Sequence, residues 1–126
     1  MHQQEIIDAI ADAIPLYKVW CNRVPRNTQT PYLYVLITDL SIQEYANCKG
    51  GNEWLIGCNL DVTSVYSIGY DTQDLVNDAT EYIIPRIKSL DIAKNVTLEG
   101  SRSMTYDTST QTITRQILTF SFWVNR

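Results

Sequence analysis

The sequence predicts an α+β domain, and three features carry that prediction. Two segments repeat apolar residues at helical spacing, and two others alternate apolar and polar residues at strand spacing. The third is Val24-Pro25-Arg26-Asn27-Thr28-Gln29-Thr30-Pro31-Tyr32-Leu33-Tyr34-Val35, a polar turn framed by prolines that feeds an apolar strand. Pro25 and Pro31 each fix φ near −65° and hold the preceding residue extended, so this segment is a stiff, non-helical lead into a sheet.

Residues 3–14 read as the first helix. Ile6, Ile10 and Ile14 recur every four residues, Ile7 and Ala13 widen the stripe, and Glu5, Asp8 and Asp12 lie off it. Pro15 stops the helix, and 16–20 lead as an extended run into the proline-framed turn. Residues 32–38 are rich in strand formers and give the first strand. The segment 39–52 has no helical period and ends in Cys48-Lys49-Gly50-Gly51-Asn52, so it reads as a flexible arm or a long hairpin loop.

Residues 53–63 alternate cleanly. Trp54, Ile56, Cys58, Leu60 and Val62 point one way, while Leu55, Gly57, Asn59, Asp61 and Thr63 point the other. Gly57 in mid-strand marks either a bulge or a close approach of another backbone. A turn over 67–72 offers Asp71 or Thr72 as helix N-cap, with Asp74 in the first turn, where the macrodipole favours it. Leu75, Val76, Ala79, Tyr82, Ile83 and Ile87 form the second helical stripe, reaching about residue 90. Pro85 removes the hydrogen bond to Glu81, so a kink or an early end is expected there. Residues 96–106 and 112–124 make a final antiparallel pair joined by 107–111. In its last strand Leu118, Phe120, Phe122 and Val124 occupy one face, and Ile113, Ile117 and Trp123 the other. The expected core joins Ile6, Ile10, Ile14, Leu75, Ala79 and Ile83 to Ile56, Cys58, Leu60, Leu118, Phe120 and Phe122.

At 126 residues the chain reads as one domain, residues 1–126, and needs no staple to bury a core. No stretch approaches a membrane span, and Met1-His2-Gln3-Gln4-Glu5 lacks the basic and apolar regions of a signal peptide. A net charge of −4 argues against gripping nucleic acid, since Lys and Arg on phosphates supply most non-specific affinity. Cys21, Cys48 and Cys58 are an odd set without C-x-x-C spacing, which fits reduced cysteines, with Cys58 a small core residue.

The motifs that could carry chemistry fall short. Lys49-Gly50-Gly51 lacks the spacing and the following helix of a phosphate loop. Asp71, Asp74 and Asp78 lack the alternating ligands of a calcium loop and read as a cap and a solvated helix face. His2 is the sole histidine, so neither a Ser-His-Asp device nor a zinc ligand set is available. Asn95-Val96-Thr97 matches a glycosylation triplet with no secretory signal to use it. No catalytic residue, metal or cofactor is expected. Eight tyrosines and three tryptophans fit two readings, good strand formers or a wet interface.

Taken along nearly its whole length, the chain resembles the tail terminator and tail-completion (neck) proteins of tailed bacteriophages. The local signature is Val24, Pro25, Thr28, Pro31 and Tyr32, followed by the Gly-containing loop, the alternating strand to Val65, the turn with Ser67 and Gly69, a helix and a last hairpin turning at 107–111. The resemblance implies a mixed, largely antiparallel sheet with two helices packed on one face. It also implies a non-enzymatic virion protein forming a ring at the head–tail junction, hexameric by preference and dodecameric as an alternative. Its partners would be copies of itself, neighbouring head-connector and tail proteins, and genomic DNA passing the lumen without specific binding. It would assemble in the host cytoplasm and reside in the virion neck, with no membrane partner. Such a ring must bury the second sheet face or the sheet edges. The expected contact set is Ile42, Tyr45 and Lys49 on the arm, and Ile113, Ile117 and Trp123 on the last strand. A small cytoplasmic protein-binding adaptor module is the alternative, its sheet pairing with a partner strand.

Overall fold

Alternation over the third strand organises the molecule, because both neighbours of that strand copy its two-faced pattern. The computed structural model describes residues 1–46 and 52–125. In chain order they form α1 (Gln3–Ala13), β1 (Val19–Cys21), β2 (Leu33–Ala46), β3 (Asn52–Ser67), α2 (Gln73–Lys88), β4 (Ala93–Asp107) and β5 (Gln111–Asn125). The five strands make one sheet in the order β1-β2-β3-β5-β4. β1 runs parallel to β2, and every other pair is antiparallel. The fold class is α+β with a mixed, mostly antiparallel sheet.

Every strand residue of the core belongs to one set of the alternation. Leu33, Val35 and Ile37 of β2, Ile56, Cys58, Leu60 and Val62 of β3, and Leu118, Phe120, Phe122 and Val124 of β5 form one buried cluster. The helical stripes complete it through Ile6, Ile10 and Ile14 near α1 and Val76, Ala79, Ile83 and Ile87 of α2. Eleven of the twelve residues expected in this core are buried. Leu75 is the exception: it packs only partly, and Val76 takes the buried position one step along the helix. A one-residue shift moves a side chain about 100° around the axis, and the sequence offers both residues to the same stripe.

Four further differences from expectation have local causes. The run at 16–20 holds a short strand, because Val35 N–H donates to the Lys18 carbonyl at 2.9 Å and Asn22 N–H to that of Ile37 at 2.8 Å. The segment 39–46 is strand, not arm or loop: residues 41–46 pair with β3 down to Ala46↔Asn52. Asp39 sits at φ 52°, and the register shifts between Thr38 and Ser41, a β-bulge that interrupts the apolar pattern without ending the pairing. α2 passes through Pro85 and ends at Lys88. Proline this close to the C-terminus costs one hydrogen bond, to Glu81, in a helix otherwise anchored by Ile83 and Ile87. Finally, Gly57 serves a close approach by a side chain: a Cβ built there would lie 3.0 Å from Ser41 Oγ.

Thr72 is the N-cap of α2, yet its hydroxyl does not cap the helix. It meets Thr114 Oγ1 of β5 at 2.5 Å, both residues buried, and Asp71 Oδ1 instead accepts the Gln73 N–H at 3.1 Å. The helix start is thereby tied to the sheet.

Candidate functional site

The second face of the sheet is the candidate site, and it is read in rows across the strands. One row crosses all five: Trp20, Leu36, Asp61, Ile117 and Arg102. The next holds Tyr34, Thr63, Arg115 and Met104. Alternation puts these residues opposite the core, where a lone sheet would leave them wet.

At the centre of this face lies a charged group removed from water. Asp61 is 2% exposed. Arg115 grips it, Nε donating to Oδ2 at 3.0 Å and Nη2 to the same oxygen in a short contact. The Thr63 hydroxyl donates to Oδ1 at 2.9 Å. The Arg115 guanidinium is held protonated beyond its ordinary range, chiefly by its hydrogen bonds to Asp61. Burial, with the Asp61 charge second, raises the Tyr34 phenol. The pair is mutually neutralised and, with the Thr63 hydroxyl, ties β3 to β5 on this face. On the same face Trp20 meets Tyr34 edge-on at 5.8 Å, and towards the other end of the strands Tyr45 meets Trp123 at 5.3 Å.

Of the six expected contact residues, the structure brings together Tyr45 and Trp123. Ile113 lies on the same face, half-buried between Val65 and Tyr106. Ile117 is only 6% exposed, covered within its own chain, so it offers a partner almost nothing. Ile42 is a correction: the bulge at Asp39 reverses the parity of β2, pairs Ile42 with Ile56, and packs it against the core. Lys49, with Cys48, Gly50 and Gly51, lies outside the described residues.

Two features escaped the sequence reading. The Asp61–Arg115 pair had a signal, two lone charges on matching faces of strongly alternating strands. The other is an aromatic cluster at one end of the sheet. Tyr66 lies 4.3 Å from Tyr70 and 6.1 Å from Tyr32, with Ile68 half exposed beside them. Its members come from two strand ends and a turn, so no spacing announces it.

Cys58 gives a direct probe of the core. Burial pushes its thiol up to about 12, from an ordinary 9.0. The unfolded chain therefore releases this proton first, so the contribution is complete below pH 9 and is lost as pH rises toward 12. Denaturant midpoints compared at about pH 7.5 and 10 should fall less in Cys58→Ala than in the wild type. Peptide-resolved thiol labelling at neutral pH should reach Cys21, which is partly exposed, well before Cys58. Equal labelling rates would contradict the packing of β3.

Among the described residues, no group of three or more His, Cys, Asp or Glu could hold a metal ion. Among them, too, no helix is long and apolar enough to cross a membrane. No family model and no curated protein matches this chain.

Proposed function

We propose that this protein is a structural subunit of a ring at the head–tail junction of a tailed bacteriophage, a tail terminator or neck component through which DNA passes. The observation that carries the reading is the second sheet face. It presents Trp20, Tyr34, Leu55, Ile113 and Trp123 half-buried along its length, with a neutralised ion pair at its centre, as a surface completed by protein would. The proline-framed segment ending in Pro31-Tyr32 and the order of elements support the same reading through their resemblance to that family. In this role the chain has no catalytic group. Its contacts are copies of itself and adjoining head and tail proteins, and its net charge of −4 suits a lumen that DNA passes without sticking.

The adaptor reading rests on the edge of β4, which has no partner strand among the described residues and could take one. Native mass spectrometry and electron microscopy of the purified protein separate the two. A closed ring of about six copies, or the same ring located by antibody at the neck of tailed particles, is expected. A protein that stays monomeric when concentrated, and is absent from particles, overturns the ring.

A further inference from the structure

Two strand edges of similar length and opposite sense, without a partner among the described residues, lie on opposite sides of this sheet. The first belongs to β4. Its upper part is broken by register shifts at Lys94/Thr97 and Leu98/Gly100, which twist an edge away from strangers. Residues 101–107 then pair regularly with β5, are all exposed, and contain neither proline nor lysine. The second belongs to β2. β1 covers it only at Val35, Leu36 and Ile37, so residues 41–46 beyond the bulge have a partner on one side alone among the described residues.

The phase of the hydrogen bonds tells which groups point outward. Thr108 N–H donates to the Gln111 carbonyl at 2.8 Å, Val65 N–H to that of Tyr32 at 2.8 Å, and Val35 N–H to that of Lys18 at 2.9 Å. Alternation from these bonds turns the N–H and C=O of Ser101, Ser103, Thr105 and Asp107 away from β5. It likewise turns those of Ile42 and Glu44 away from β3.

We propose that β4 of one copy pairs antiparallel with residues 41–46 of β2 in the next copy, continuing the sheet from subunit to subunit. β2 and β4 run in opposite directions within the sheet, so adding one beside the other forms an antiparallel ladder without inverting either face. The register with fullest overlap sets 101–106 against 46–41. Ser103 then faces Glu44, Met104 faces Gln43, and the Arg102 guanidinium lies beside the Tyr45 ring. The β4 run carries one charge of each sign, Arg102 and Asp107, while the β2 edge carries Asp39 and Glu44. Pairing β2 with its own copy would crowd those carboxylates. A β4–β2 contact joins two different edges, so it is heterologous and propagates until it closes, as a ring requires. The inference thus rests on the ring reading and names its interface.

The test uses the full chain. Ser103→Pro removes an outward donor that β4 does not use for pairing with β5, so the subunit should keep its circular dichroism and melting temperature while each interface weakens about tenfold or more. Independently, the double variant Gln43→Cys/Met104→Cys should form a ladder of covalent oligomers on mild oxidation, and neither single variant should. Rings in the wild type with no covalent ladder from the double variant, and rings unaffected by a folded Ser103→Pro, overturn this interface and leave the ring standing. A dimer cross-linked by Met104→Cys alone overturns it in favour of β4 pairing with itself. Absence of any ring from both the wild-type protein and tailed particles overturns the ring reading and the interface together. If Ser103→Pro does not fold, the double-cysteine variant alone decides.

Discussion

Truncating Phe120 to alanine is expected to destabilise the domain by about 3–5 kcal/mol. Its ring is fully buried, flanked in register by Cys58 on β3 and Leu98 on β4, within the cluster that holds both helical stripes. Removing it leaves a void walled by close-packed strands and helices, which can collapse only in part. For a domain of this length the change lowers the melting temperature by roughly 10–20 °C. Phe120→Leu, which fills most of the volume, should cost well under half as much. Urea denaturation followed by circular dichroism gives both numbers. A loss below about 1 kcal/mol for the alanine variant would mean that the site is not tightly packed.

The second large effect is expected at the ion pair, and it is asymmetric. Asp61 is almost wholly buried, whereas the Arg115 side chain remains 33% exposed. Arg115→Met therefore strands a carboxylate away from water with, among the described residues, the Thr63 hydroxyl left to hold it, at a cost of about 3–5 kcal/mol. Asp61→Asn frees a guanidinium that can still turn to solvent, and should cost less, about 1–2 kcal/mol. Replacing both, Asp61→Leu with Arg115→Met, should recover most of the loss, because an apolar pair escapes the desolvation penalty that the ions incur. A double variant as unstable as Arg115→Met alone would show that packing, not charge, is at stake. The double variant also tests assembly, since it leaves the sheet edges untouched while changing the centre of the second face.

The helices were legible because their signal is local and redundant. Ile6, Ile10 and Ile14 repeat on one stripe, and the second helix carries six apolar residues, so misplacing Leu75 against Val76 changed nothing else. β3 was legible for the same reason, since alternation over eleven residues leaves one choice of buried face. β2 was not legible beyond Thr38. Its pattern breaks where Asp39 enters the left-handed region, and a reader counting in twos loses the strand there, although the pairing with β3 resumes at Ser41. That one residue also decided the fate of Ile42, which the bulge turns to the core, and of Tyr45, which it turns to Trp123.

The sequence by itself determined the α+β class, the faces of β3 and β5, and nearly all of the core. These depend on periodicity and apolar volume, quantities written along the chain. Only the tertiary structure decided what lies between strands distant in sequence. The pairing of Asp61 with Arg115, the gathering of Tyr32, Tyr66 and Tyr70, the parallel seating of β1 and the two edges left unpaired among the described residues all follow from register and strand order. Register is set by where the β2 bulge falls and by how the strands stack, and a shift of one residue reverses every side chain it carries.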